Sequence, residues 1–518
     1  MDAMSSGCRT PLLSPQDKGS NAGVKRSYGR GVVLCSVLLS MICFSHPTSS
    51  SPAQSSLQLM DCRLEAPDGG AAVAAQCGWL SVPENPAAPA SRHIRLRVAV
   101  VPALNLRKAA DPLVFLTGGP GGAASVDYLR LAPAFERIRR DRDILLIDQR
   151  GTGASNRLDC TLGDELEVGR IETQQIKTLA SRCLSALPGD PRYYTTSMAV
   201  ADLEAVRTVL GYSQLNLWGG SYGTRVAQHY LRRYPQRVRT VILDGVVPPP
   251  VILGPGVAVE AQRALDSIFA RCANESACKA AFPELRSDYA ALRLGLERQP
   301  VSIALPDPVS ARMLQLMFAP AHLINAIRLL SYSDATAALL PYLIHEAYQR
   351  NFQPLAAQAV LSTRNVSDVI ASGMAYSVQC SEDAPYLQVA AADDPTLAQT
   401  YIGRQFLDGF LAVCSIWPRG IMDPDLHEPL HSQVPALLLS GENDPITPPT
   451  YGELAAAGFV HHKHLVLKGQ GHIQTGTACM PRLLARFIQT ADPQQLDTRC
   501  LDHVIAAPFM LSAIASAP

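Results

Sequence analysis

Several things are missing from this 518-residue chain, and each absence removes a class of function. There is no excess of charge: 45 basic side chains stand against 45 acidic ones, a formal net charge of +0. Nucleic-acid binding draws on a basic surplus that displaces counterions, so no nucleic-acid partner is expected. There is no C-x-x-C pair and no Cys/His metal spacing, which argues against structural zinc, and no metal or cofactor is expected. The phosphate-cradling pattern Gly-x-x-x-x-Gly-Lys-Ser/Thr does not occur. No internal repeat is evident. The apolar stretch Gly31–Phe44 falls short of the roughly 20 residues that a helix needs to cross a bilayer.

What is present is a chain able to bury a large core, 47% hydrophobic and 17% charged. Its length suggests one large domain carrying an insertion rather than a single compact core. Lys25, Arg26 and Arg30 precede the apolar stretch, and the Ser/Pro-rich segment His46–Ala53 follows it. That order is the layout of a secretory signal peptide, so residues 1–53 read as signal and linker, with a retained anchor as the alternative. No small residue directly precedes Cys43, so a lipoprotein signal is not read here. The expected location is outside the cell or in the periplasm. Beyond this leader lie Cys62, Cys77, Cys160, Cys183, Cys272, Cys278, Cys380, Cys414, Cys479 and Cys500. Their even number and sequential spacing predict neighbour-to-neighbour disulfides in an oxidising compartment.

Periodicity divides the rest. Ile94–Val101 alternates and then turns apolar, as a strand near a sheet edge does. Pro112–Leu116, Ile144–Ile147, Leu215–Trp218 and Val241–Asp244 are short apolar runs, predicted as buried parallel strands. Between them Ala199–Leu210 has helical spacing and stops at Gly211, and Tyr222–Arg233 is a further helix. From about Pro248 to Ser377 the spacing is helical, with no convincing buried strand. Alternation returns with strands at Pro435–Leu439 and Leu465–Leu467 and helices near Tyr451–Ala457 and Pro481–Ile488. The expected layout is an α/β core, 54–247 and 378–518, interrupted by a helical lid, 248–377.

Four loops carry chemistry. Gly219-Gly-Ser-Tyr-Gly223 fits G-x-S-x-G, after a predicted strand and at the start of a predicted helix. That context makes Ser221 the candidate nucleophile, on a turn too tight for a Cβ on either side. Thr117-Gly-Gly-Pro-Gly-Gly122 follows another strand. Its backbone N–H at Gly119, with that of Tyr222, is the candidate oxyanion hole. Asp444 in Gly441-Glu-Asn-Asp-Pro445 and His472 in Gly469-Gln-Gly-His472 follow two late strands. Ser, Asp, His in that order along the chain is the triad of the α/β-hydrolase fold. Glu442 is a rival acid. His461-His-Lys-His464 reads as a solvated loop ahead of a strand, with no carboxylate at ligand spacing.

The chain resembles the proline iminopeptidase and tripeptidyl aminopeptidase group of α/β-hydrolases, the tripeptidyl branch most of all. The matching stretches include Gly118–Gly121, Asp148-Gln-Arg-Gly-Thr-Gly153, Gly219–Thr224, Tyr230–Val238, Leu243-Asp-Gly-Val246, Gln379-Cys-Ser-Glu-Asp383 and Gly441–Pro448. Thr117 departs from the histidine that many relatives carry before the paired glycines. The resemblance implies an α/β-hydrolase fold, a mostly parallel sheet flanked by helices, and removal of short peptides or single residues from free N-termini. The partners would be peptide substrates, with no membrane association beyond an uncleaved leader. Such substrates bring an ammonium group, for which Glu382 and Asp383 are the candidate acceptors. Asp148 and Arg150 are expected to brace the loop beside the oxyanion hole. Two other readings stay open: a carboxylesterase or lactone hydrolase with the same triad, and a non-catalytic binding protein on the same scaffold. A serine where haloalkane and epoxide hydrolases use aspartate disfavours those two classes.

Overall fold

The computed structural model describes residues 57–67, 69–160, 172–387 and 395–516. The leader expected over 1–53 lies outside them. Nine strands form one sheet: β1 (Met60–Glu65), β2 (Ala72–Pro83), β3 (His93–Val101), β4 (Leu113–Leu116), β5 (Ile144–Ile147), β6 (Leu215–Gly220), β7 (Val238–Asp244), β10 (Ala436–Gly441) and β11 (His462–Leu467). Their spatial order is β1-β2-β3-β5-β4-β6-β7-β10-β11. The pairings of β1 with β2, β2 with β3 and β3 with β5 are antiparallel; every pairing from β5 across to β11 is parallel. The late strands do complete the sheet of the early ones, β10 lying directly beside β7.

The parallel strands inside the β11 edge are largely apolar on both faces because helices cover both. On one face Val114, Leu217, Leu243 and Leu438 pack with α3 (Thr196–Leu210) and α4 (Tyr222–Arg233). On the other, Phe115, Trp218, Ile242 and Leu439 pack with α1 (Ala124–Arg139) and the helix Met480–Thr490. Phe115 stacks on Trp218 at 4.4 Å and meets Phe135 edge-on at 5.6 Å. Truncating a buried ring of this kind costs about 3–5 kcal/mol.

Three expectations need correction. The strand from Ile94 is not near an edge, since β1 and β2 lie outside it. The histidine-rich segment is not all loop, because β11 begins at His462. The insertion also contains a hairpin, β8 (Val301–Pro306) paired with β9 (Met313–Phe318). Its strands alternate, with Ile303, Leu305, Leu316 and Phe318 inward and Ser302, Ala304, Gln315 and Met317 exposed. Two windows of six residues give that pattern little weight against the long helical periods around it.

The lid has a core of its own, drawn from helices such as Gly256–Asn274, Pro320–Leu330 and Gln353–Val369. That core runs past the expected boundary at 377, through Tyr401 and Leu407, and takes in Phe509 from the C-terminal tail. The helix Ser372–Glu382 straddles the boundary and seats Met374 and Val378 on the sheet's own cluster. The five expected disulfides are all formed: Cys62–Cys77, Cys160–Cys183, Cys272–Cys278, Cys380–Cys414 and Cys479–Cys500. Each closes a local loop, the second of them tying Cys160 to α2 (Thr173–Ala186). Among the described residues no helix is long and apolar enough to cross a membrane.

Candidate active site

Four loops at the carboxyl ends of parallel strands converge, which is where α/β sheets place their sites. Ser221 stands between β6 and α4 with φ 54° and ψ −124°, a conformation that non-glycine residues adopt only under constraint. The constraint is visible at Gly223, where an added Cβ would come within 2.0 Å of the Leu116 carbonyl oxygen. The helix must pass this close to β4 for the serine to stand clear of the sheet.

His472 follows β11, and its Nδ1 lies 2.7 Å from Asp444 Oδ2. The Asp444 carboxylate also accepts from the Ile446 and Thr447 N–H groups at 2.9 and 2.8 Å, and from the Thr447 hydroxyl at 2.7 Å. Glu442, the rival acid, points elsewhere and accepts from the Gly469 N–H. Burial alone would raise the Asp444 pKa, but the imidazole and these donors outweigh it and hold it below the usual carboxylate range. Burial alone would lower the His472 pKa, and Asp444 outweighs it, with help from Asp244, so it sits above the usual imidazole value. With Nδ1 turned to the carboxylate, Nε2 is left as the basic nitrogen. Ser221 Oγ has no hydrogen bond among the described residues, and it lines the same cavity as His472.

Thr117–Gly122 lies against the elbow: a Cβ on Gly118 would be 2.9 Å from Ser221 Cβ. The N–H of Tyr222, at the first position of α4, has no carbonyl a turn earlier in the helix to bond. Asp148 accepts from Ser125 N–H and Oγ, both at 2.9 Å, and so grips the first turn after the glycine loop. Arg150 turns away instead, to Asp202 at 2.6 and 2.7 Å. Both candidate oxyanion donors, with Ser221 and His472, line a cavity of about 780 Å³ whose wall is mainly apolar. The lid closes one side of it with residues such as Leu329, Tyr332 and Ile370.

Glu382 and Asp383 are not on that wall. Both carboxylates are fully buried, and both face Arg225 of α4, Asp383 at 2.9 and 3.1 Å and Glu382 at 3.5 Å. Glu382 also accepts from Thr196 N–H and Oγ1 at 2.7 and 2.8 Å. Thr196 Oγ1 in turn bonds the Tyr222 hydroxyl at 2.8 Å. Both are tied to one permanent cation away from the cavity, so they brace α4 behind the candidate oxyanion donor and are not placed to meet an ammonium group beside Ser221. Among the described residues the one carboxylate lining the cavity is Asp127, which accepts from the Thr117 hydroxyl.

Sequence reasoning passed over four further residues, Thr447 beside Asp444 among them. Asp244, at the end of β7, accepts from Gln474 N–H, Thr475 N–H and Thr475 Oγ1 at 2.6–2.9 Å and so fixes the loop after His472. Burial pushes its pKa up to about 6 against those donors. A Cβ on the next residue, Gly245, would come within 2.7 Å of the imidazole. Tyr332, from the lid, accepts the backbone N–H of His472 on its carbonyl at 2.6 Å and sets its ring edge-on to the imidazole at 5.3 Å. Asp244 and Thr447 had a signal, their places in the matching stretches at the end of β7 and in the loop after β10; Tyr332 had none.

A family model described as the alpha/beta hydrolase fold matches residues 111–475, and the chain belongs to that family. Within it, the chain is 29% identical over 238 residues to the serine protease Hip1 of Mycobacterium tuberculosis, covering 42% of this chain and 45% of that one. It is 27% identical over 191 residues to a tripeptidyl aminopeptidase of Streptomyces lividans, covering 34% and 36%. Over 136 residues it is 29% identical to a proline iminopeptidase of Neisseria gonorrhoeae, covering 26% and 32%. The match thus spans less than half the length of each of these relatives. A solved proline iminopeptidase from Mycobacterium smegmatis overlaps 80% of this chain and 98% of its own at 14% identity, with a TM-score of 0.36, too low to carry an argument.

Proposed function

We propose that this hydrolase is an exported serine exopeptidase that removes short peptides or single residues from free N-termini. The observation that carries the reading is the 2.7 Å pair of His472 and Asp444, opening on one cavity with Ser221 on its elbow. Ser221 Oγ attacks the scissile carbonyl carbon while His472 Nε2 takes its proton. Asp444 holds the ring and stabilises the imidazolium. The N–H groups of Gly119 and Tyr222 receive the oxyanion. Collapse of this intermediate breaks the C–N bond, and the imidazolium protonates the leaving amine; a water then repeats the sequence on the acyl-enzyme.

A free N-terminus brings a cation into the cavity, and Asp127 is the acceptor we assign to it. Burial raises its pKa against the Thr117 hydrogen bond and the Arg130 charge, so an arriving ammonium would gain a partly desolvated counter-ion. The five local disulfides support an oxidising compartment. The apolar character of the cavity wall favours a second reading, a carboxylesterase or lactone hydrolase with the same triad.

Anilide release from an Ala-Ala-Pro peptide with a free amine, beside its N-acetylated twin and the Ser221→Ala variant, separates the two. Preference for the free amine supports the exopeptidase. Equal turnover, or turnover of simple esters alone, moves the chain to the second reading. Loss of fluorophosphonate labelling in Ser221→Ala distinguishes an enzyme from a binding protein.

A further inference from the structure

The cavity wall carries a cation that no carboxylate answers. Arg328 lies on the lid helix Pro320–Leu330 and lines the cavity together with Ser221 and His472. Asp127, the carboxylate on the same wall, has Thr117 as its hydrogen-bond partner and feels the charge of Arg130. Among the described residues Arg328 has no ion pair and no hydrogen bond. Its guanidinium is held instead by aromatic faces, 5.4 Å from the Phe406 ring centre and 6.0 Å from that of Tyr332. Stacking of this kind fixes the plane of a guanidinium and leaves its N–H edge free to donate. The Arg328 charge is also felt at Tyr401, whose buried hydroxyl has no hydrogen-bond partner.

The position relative to the chemistry is defined by the same short segment. Tyr332, four residues on, holds the backbone N–H of His472 on its carbonyl and its ring against the imidazole at 5.3 Å. A single ring therefore separates the guanidinium from the imidazole. With the guanidinium 6.0 Å and the imidazole 5.3 Å from the centre of that ring, the two lie within reach of three to four residues of extended chain, at roughly 3.5 Å each. An unpaired, half-desolvated arginine at that reach favours a substrate that brings an anion, because a planar fork of donors pairs bidentately with a carboxylate.

We infer that Arg328 is a specificity residue that receives a carboxylate of the substrate. Two sources offer that group within reach: an acidic side chain on the acyl side of the scissile bond, or the free C-terminus of a short leaving peptide. This deepens the serine exopeptidase reading and rests on it for the peptide arms of the test alone.

Three matched substrate pairs test it on the wild type, Arg328→Gln and Arg328→Lys. The first pair is a free-amine peptide anilide with Glu or Gln on the acyl side. The second is a short peptide with a free or an amidated C-terminus. The third is p-nitrophenyl hemisuccinate against p-nitrophenyl butyrate, which reads the charge preference even in an enzyme that cleaves only esters. The wild type is expected to prefer the carboxylate member of at least one pair by about tenfold in kcat/KM. Arg328→Gln should bring that ratio to about one, with Arg328→Lys in between, and the pair affected names the source. Absence of peptide turnover with a preserved ester ratio would overturn the peptidase reading and keep Arg328 in its role. No preference in any pair, or a preference that survives Arg328→Gln, overturns the assignment of Arg328.

Discussion

Two buried carboxylate sites, Asp444 and the pair Glu382 and Asp383, differ in the partner each has found. Asp444 faces an imidazole, a base that changes charge within the working pH range. Glu382 and Asp383 face Arg225, which does not titrate there. The first arrangement sets a titratable base on the cavity wall, and the second ties α4 to the helix Ser372–Glu382 away from it. Burial and a nearby cation are common to both, so neither feature identifies a functional acid. What separates them is the partner: His472 is titratable and lines the cavity, whereas Arg225 is neither titratable there nor on the cavity wall.

The largest effect that would break this contrast lies at the proposed triad. Ser221→Ala is expected to lose about 10⁶-fold in kcat and Asp444→Asn about 10⁴-fold, with thermal unfolding little changed. A mild Asp444→Asn phenotype would mean that the imidazole is oriented by something else. Next in size, Arg225→Met should lower stability in chemical denaturation by about 3–5 kcal/mol, because it strands two buried carboxylates. Combining it with Glu382→Gln and Asp383→Asn should recover much of that loss. Free-amine selectivity that falls with Glu382→Gln in fully folded protein would instead return that residue to substrate binding. Asp127→Asn sharpens the same point, with about a tenfold fall in kcat/KM expected for the free-amine peptide and little for its acetylated twin.

The smallest effects are read in pH. The raised His472 pKa means that the imidazolium pair stabilises the fold fully below the ordinary value of about 6.5. That contribution is lost as pH rises through the folded value, which is also where the neutral base appears. The acid limb of kcat/KM should therefore lie above 6.5, and Asp244→Asn should move it down by removing one of the charges that raise it. Burial lifts the Glu382 pKa to about 7, against the pull of Arg225 and Thr196. Its contribution to stability is complete below the ordinary glutamate range of about 4.3 and is lost as pH rises through about 7. Glu382→Gln should narrow the gap between thermal melts at pH 5 and pH 8; an unchanged gap would assign the pH dependence to another group.

Much of this is legible in the sequence. Tyr222–Arg233 was legible as a helix because its apolar spacing has the helical period, and its first residue follows a serine between glycines. The short buried strands were legible because residues apolar on both faces leave an unbroken run, as in Ile144–Ile147. The five disulfides were legible because each joins neighbours along the chain. The hairpin β8–β9, the outer strands β1 and β2 and the true extent of the lid were not, since half-buried strands of six residues carry weak periodicity and a lid core is assembled from distant segments.

The sequence by itself determined the elements that are local: the elbow, the order of serine, acid and histidine, the sheet-forming runs and the cysteine pairs. These follow from short-range spacing and backbone sterics, which a linear string records. The tertiary structure alone decided which charges meet. Glu382 and Asp383 are spent on an arginine about 160 residues away in the chain, Asp127 reaches the cavity wall, and Arg328 is left without a carboxylate among the described residues. Electrostatic roles depend on distance and desolvation, and neither is written in the order of the residues.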